Sequence, residues 1–418
     1  MTYQLIRGDS RRLPIADRSV HCVVTSPPYF ALRDYGVTGQ LGLEPTPRAY
    51  VQAMLQVFAE VHRVMRDDAT LWLNIGDSFF GGGYSNHAVN GEEWKTAMNG
   101  DKRRSRQQDL KRANPQLKPK DLIGIPWMLA FALRDELGFY LRSDVIWHKP
   151  NPMPESVTDR PTKAHEYLFL LSKSADYFYD AEAVTEDAIT DAPREHWTER
   201  DYDQSMLAHK QANGVKGRPI GVAGYTAPGR RNRRSVWTIT TKPFKGSHFA
   251  VMPSDLVKPC IQAGTSEKGC CPECGSPWER VTEKDSVQTF DYEGKNASQD
   301  PQFSQRRMLA NMRARRKQGH PHDNPFPSKK TLGWQPSCSC GTGEPVPCTV
   351  LDHFNGAGTT GVVALALGRR YIGVDLSADY LAMAQRRIDR PHALPVRTAS
   401  KPEDHPLLAN LDDPDSPT

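Results

Sequence analysis

The chain has 418 residues, 38% of them hydrophobic and 25% charged, with a formal net charge of +5. That length admits one large domain with insertions or two to three domains, and the modest apolar share leaves segments outside any core. No run approaches the ~18 apolar residues of a membrane span, and the opening MTYQLIRGDS lacks the apolar centre of a signal peptide, so a cytoplasmic protein is expected.

In chain order the stretches that read as strands are YQLIR (3–7), HCVVTS (21–26), TLWLNI (70–75), RSDVIW (142–147), EYLFLLS (166–172), TVLDHF (349–354) and RYIGVDL (370–376). Several are near-continuous apolar runs, as strands covered on both faces are. Helical periodicity occupies 47–65, 126–137, 358–368 and 377–389. Strand and helix in alternation predict a doubly wound, mostly parallel seven-stranded α/β sheet. Three segments break the alternation: 81–120, 181–245 and 264–347, the last holding most of the cysteines. They read as insertions on one scaffold, where recognition is commonly placed. Basic residues concentrate in 101–120, 228–235 and 304–320, which suits contact with a nucleic-acid backbone. The Pro-rich, locally acidic tail 391–418 reads as disordered.

Two turns stand out. VVTSPPYFALRDYG (23–36) runs an apolar strand into paired prolines, which end a ladder because neither has an N–H. Ser26, Pro27, Pro28 and Tyr29 thus put a hydroxyl, rigid carbonyls and a flat ring at one strand end, where open α/β sheets bind ligands. The alternative is a proline-rich loop with Tyr29 packed on it. Near the other end, Gly356-x-Gly358-x-x-Gly361 joins a strand to a helix, and Asp375 ends the next strand. Such a loop lets backbone approach a ligand, and the acid can accept from ribose hydroxyls. This pattern fits a nucleoside cofactor and leaves NAD and S-adenosylmethionine both open.

LIRGDSRRLPIADRSVHCVVTSPPY (5–29) resembles the cofactor-adenine and catalytic motifs of the amino-group DNA methyltransferases, and 143–174, 246–264 and DHFNGAGTTG (352–361) resemble further segments of that family. His353 stands where proline is usual and Ala357 where serine is common. The catalytic strand precedes the glycine loop, as in the permuted β-type group. The resemblance implies a circularly permuted class I methyltransferase fold of Rossmann-like type, with S-adenosylmethionine as methyl donor and double-stranded DNA as substrate. It divides the chain into a catalytic half (1–80 and 121–180), a basic insertion (81–120), a target-recognition region (181–245), a cofactor segment (246–264), a Cys-rich basic insertion (265–348) and a cofactor-binding half (349–390). Residues 85–120 and 280–335 are expected to add DNA contacts.

The same resemblance assigns roles. Ser26 and the Pro27 carbonyl accept from the target amine, and Tyr29 stacks on an extruded base. Asp9 binds the cofactor's adenine amine and Asp375 its ribose, while Phe249, Phe354, Gly356, Gly358, Thr359 and Thr360 line its methionine end. His165 and Glu166 either approach the base or make structural hydrogen bonds. A leading Ser favours cytosine N4 over adenine N6. A restriction endonuclease partner is left open, as are recognition sequence and oligomeric state.

Eight cysteines occupy 22, 260, 270, 271, 274, 338, 340 and 348. Cys271-x-x-Cys274 and Cys338-x-Cys340 together offer four thiolates for a closed structural zinc site in a zinc-ribbon-like element, with Cys270 or Cys348 as substitutes. Cys22 and Cys260 read as core. A non-catalytic zinc-ribbon DNA-binding protein on the same scaffold is the contrasting reading. The intact Ser-Pro-Pro-Tyr, Asp9 and Asp375 argue against it.

Overall fold

A computed structural model describes residues 2–80, 116–187, 230–241, 251–284, 329–341 and 343–389. The chain divides into two compact units, the first comprising 1–184, 234–279 and 334–418 and the second 185–233 and 280–333.

The first unit holds β1 (Tyr3–Arg7), β2 (Val20–Thr25), α1 (Pro47–Val64), β3 (Met65–Ile75), α2 (Ile125–Leu137), β4 (Tyr140–His148) and β5 (His165–Ser172). Within the second lie two short strands that pair antiparallel, β6 (Glu186–Asp187) and β7 (Arg230–Arg231), with Arg231 ion-paired to Glu186 at 2.9 Å. The first unit resumes with β8 (Val236–Thr238) and α3 (Ser254–Gly264). Next come β9 (Trp278–Lys284) and β10 (Lys329–Pro336), which pair with each other. The chain then returns through β11 (Thr349–Asp352), α4 (Thr359–Ala366), β12 (Arg370–Asp375) and α5 (Ala378–Ile388).

One sheet of eight strands runs β1-β12-β11-β2-β3-β5-β4-β8. Every neighbouring pair is parallel except the two made by β5, which runs against the rest. The seven expected strands are present, and the count of seven is corrected to eight. Strand β8 pairs parallel with β4, Ile146 opposite Val236. Three residues beside a basic run carry no periodicity to read. What holds them is Trp237, buried 6.0 Å from Trp72 in β3. Helix α3 also escapes prediction, because Pro259 sits inside it.

Alternation explains the two cores. Leu71, Leu73, Ile75, Phe169 and Leu171 face one apolar cluster with α1 and α2, whereas Trp72, Leu168 and Leu170 face another with α3 and α4. Helix α1 begins cleanly, since the Thr46 hydroxyl accepts the Ala49 N–H at 3.0 Å and Pro47 fills the first turn. Among the described residues no helix is long and apolar enough to cross a membrane.

From β2 the chain steps through α1 to β3, and from β11 through α4 to β12, in opposite directions across the sheet. The switch point therefore lies between β11 and β2, the position at which open α/β sheets leave a crevice.

Candidate active site

The two parallel strands at the switch point end together, and one buried carboxylate ties their ends. Asp352, the last residue of β11, accepts from the Thr25 hydroxyl at 2.8 Å, the Thr360 hydroxyl at 2.9 Å and the Phe354 N–H at 3.1 Å. Burial raises its pKa to about 6, with these donors opposing the rise. After β11 the chain turns through Gly356, whose φ of 48° suits glycine. The Gly356 N–H donates to Asp375 Oδ2 at 2.8 Å, and the Ser377 N–H to Asp375 Oδ1 at 2.9 Å. Asp375 is pushed above its ordinary range by burial. After β1, Asp9 accepts the Arg11 N–H at 2.9 Å and pairs with its guanidinium at 2.6 Å, which holds its carboxyl below the usual range. These groups surround an open cleft.

At the Ser26–Tyr29 turn the two prolines are treated differently. The Tyr50 hydroxyl of α1 donates to the Pro28 carbonyl at 2.9 Å. Among the described residues the Pro27 carbonyl receives no such donor. Tyr29 is fixed from two sides. A Cβ built on Gly76 would stand 2.6 Å from its Cε2, so the ring lies directly on glycine backbone at the end of β3. Its hydroxyl donates to Glu166 Oε2 at 2.8 Å, and Glu166 also accepts from Asn74 Nδ2 at 3.3 Å and pairs with Lys149. Burial, then the Glu166 carboxylate, push the Tyr29 phenol well up, so it stays a neutral donor.

A family model described as DNA methylase, of the N6/N4 type, matches residues 20–271 and 347–386. The chain belongs to this family. The Type II methyltransferase M.XycI of Xanthomonas campestris pv. cyanopsidis is 35% identical over 401 residues, covering 95% of this chain and 91% of the relative. M.Cfr9I of Citrobacter freundii is 43% identical over 266 residues, 62% of this chain and 72% of that one. The solved PvuII DNA methyltransferase (cytosine-N4-specific) superposes with a TM-score of 0.45 at 15% identity, over 98% of this chain and 93% of that one. The base named for that protein stays with it. The chain is thus an S-adenosylmethionine-dependent DNA methyltransferase of the amino-group class.

In this methylase Asp9, Ser26, Pro27, Pro28, Tyr29, Phe354, Gly356, Thr359, Thr360 and Asp375 all line the one cleft. Gly358 does not; its φ is 78° and a Cβ there would stand 2.6 Å from Ala384 Cβ, so it lets α5 pack against the start of α4. Phe249 lies outside the described residues, as do 81–115, 188–229, 285–328 and 390–418, which hold most of the basic clusters and the tail. Sequence reading missed Asp352, Tyr50 and Asn74, whose partners are set by tertiary contact alone. It also missed what happens to His353, which is buried against Phe58 at 5.3 Å with neither ring nitrogen hydrogen-bonded. Desolvation drops its pKa to about 3, so it is a neutral packing residue.

The sulfur atoms of Cys271, Cys274, Cys338 and Cys340 all lie within 4.8 Å of one another, as ligands of one tetrahedral ion must. Each pair is followed by a glycine in the left-handed region, Gly275 at φ 72° and Gly341 at 68°, which turns the chain around the thiols. Cys270, Cys348 and His21 also cluster, but both His21 nitrogens are engaged: Nε2 with the Gly275 carbonyl at 2.9 Å and Nδ1 with the Thr349 N–H at 3.1 Å. That imidazole clips the knuckle to the start of β11. Cys22 and Cys260 are fully buried in the core.

Proposed function

We propose that this DNA methyltransferase methylates cytosine N4 on a base extruded from the duplex. An exocyclic amine is a poor nucleophile because its lone pair is delocalised into the ring. Two acceptors on its two N–H bonds draw the nitrogen toward tetrahedral geometry and expose the lone pair. The observation that supports the reading is the pairing at the turn: Ser26 and Pro27 both line the cleft, and Tyr50 occupies the neighbouring Pro28 carbonyl instead. Proline's fixed φ keeps that acceptor aimed. A serine hydroxyl in place of a carboxylate is what favours cytosine. Tyr29 offers the stacking face. Positioning and electrostatics then do the work.

The bound cofactor supplies an electrophilic methyl group on a sulfonium. Asp9 would accept from its adenine amine, since a carboxylate keeps free lone pairs after taking Arg11. Asp375 would hold the ribose, and Phe354, Gly356, Thr359 and Thr360 the methionine end, with Phe249 as a further contact. The buried Asp352 and the half-buried Asp375 give the cleft a negative character that suits a cation. Cys271, Cys274, Cys338 and Cys340 would bind a structural zinc that ties the ends of the cysteine-rich insertion, and the basic segments would follow the DNA backbone. A modification role beside a cognate restriction endonuclease goes with this reading, in keeping with the Type II methyltransferase names of the relatives.

Nucleoside mass spectrometry tests the base. The protein is incubated with unmethylated genomic DNA and isotopically labelled S-adenosylmethionine, and the DNA is digested. Label on N4-methylcytosine is expected. Label on N6-methyladenine would reverse the base assignment while keeping the acceptors, because adenine presents the same pair of N–H bonds.

A further inference from the structure

Strand β4 and strand β5 are paired so that Trp147 lies opposite Glu166 and His148 opposite His165. Lys149, one step beyond β4, stacks its ammonium 4.3 Å over the Trp147 ring and pairs with the Glu166 carboxylate. Both side chains are largely withdrawn from solvent, at 18% and 17% exposure. Asn74, itself held by the Tyr167 carbonyl at 3.1 Å, adds a donor to the same carboxylate oxygen that takes the Tyr29 hydroxyl. Groups from distant parts of the chain, Tyr29, Asn74 and Lys149, thus converge on the one Glu166 carboxylate, and Glu166 is not part of the cleft wall.

We propose that Glu166, braced by Lys149 and Asn74, is the positioning residue that sets the angle of the Tyr29 ring for the incoming base, acting through the phenol rather than by touching DNA or cofactor. Gly76 stops the ring on one side, and the hydroxyl anchor at its far end stops rotation about Cα–Cβ from swinging the ring away. A phenylalanine would fill the same space, so the oxygen serves orientation. Lys149 has a second effect. It neutralises a carboxylate close to where a phosphate-bearing nucleotide must arrive, which removes a repulsion from DNA. The inference rests on Tyr29 being the stacking platform.

The test is a double-mutant cycle read in two observables, the rate of methyl transfer to unmethylated genomic DNA and the Kd for S-adenosylmethionine. Tyr29→Phe and Glu166→Ala are each expected to slow transfer on the order of tenfold, the weight of a hydrogen bond to a charged group, with the cofactor Kd unchanged. The double variant should be no slower than either single one. Glu166→Gln, which keeps an acceptor for the phenol, should recover most of the rate. Multiplying effects, or wild-type transfer by both single variants, would overturn the inference. Tyr29→Phe removes one oxygen and decides the matter alone if Glu166→Ala does not fold: a wild-type rate sinks the proposal. Tyr29→Ala separates the layers, because continued methylation by that variant would remove the stacking platform itself.

Discussion

The ring of Tyr29 and the backbone of Gly76 are in direct contact: a methyl group on residue 76 would stand 2.6 Å from Cε2 and 3.2 Å from Cδ2. Carbon atoms rest at about 3.5–4.0 Å, so the ring cannot keep its place beside alanine. Gly76→Ala is therefore expected to slow methyl transfer on the order of tenfold or more and to lower stability by about 1–3 kcal/mol, while cofactor affinity holds. Transfer kinetics beside calorimetric cofactor binding check this. A wild-type transfer rate would mean that the base does not need the ring where it lies.

Much of the scaffold was legible because strands buried on both faces announce themselves. VHCVVT and EYLFLLS are apolar on both faces, and in the structure their alternate residues enter opposite cores. Helix α4 and the turn at Gly356 were legible from glycine chemistry, and the cysteine pairs from ligand type and the short spacing within each pair. Strand β3 was read too short, since its first residues Met65 to Ala69 include Arg66, Asp67 and Asp68, whose charge hides the strand from any apolar count. What stayed hidden were pairings across long sequence separation. Tyr29 and Glu166 are 137 positions apart, and Thr25 and Asp352 are 327 apart. No local pattern encodes either bond. Gly358 illustrates a related limit: the glycine motif predicted a ligand contact, whereas the residue's nearest neighbour is Ala384.

That contact yields a second expectation. Gly358→Ala would place its Cβ 2.6 Å from Ala384 Cβ at a φ of 78°. The clash and the left-handed backbone together should cost roughly 2–4 kcal/mol. Ala384→Gly in the same chain removes the clash and should restore part of the loss, leaving the backbone strain. Thermal unfolding of the three variants decides it. If the pair is as destabilised as the single variant, the two helices do not meet there.

Metal content is a third. Protein expressed with zinc available is expected to carry about one equivalent, and Cys338→Ser with Cys340→Ser should abolish it and lower the unfolding midpoint. Cys22→Ala, a core residue whose thiol burial pushes its pKa up to about 12, should keep the zinc. Zinc retained by the double variant, or absent from the wild type, would refute the four-thiolate site.

The last expectation concerns pH. Asp352 has a folded pKa raised to about 6 from an ordinary 3.8, chiefly by burial. The folded state therefore holds this proton more tightly than the unfolded chain. The associated stability is fully present below the unfolded carboxylate pKa and is lost as pH climbs through about 6. At most about 3 kcal/mol is involved, and Asp375, raised in the same direction, adds to the trend. Cofactor binding should run the other way. A cationic ligand in the cleft favours the ionised carboxylates, so it binds with proton release and its affinity should rise up to about tenfold between pH ~5 and ~7.5. Asp352→Asn keeps the side chain's shape, and the Thr25 and Thr360 hydroxyls can each rotate to accept from an amide. In that variant both slopes should flatten without vanishing, because Asp375 still titrates. Calorimetric binding and thermal unfolding at the two pH values measure them. Unaltered slopes in Asp352→Asn would place the titrating carboxylate elsewhere.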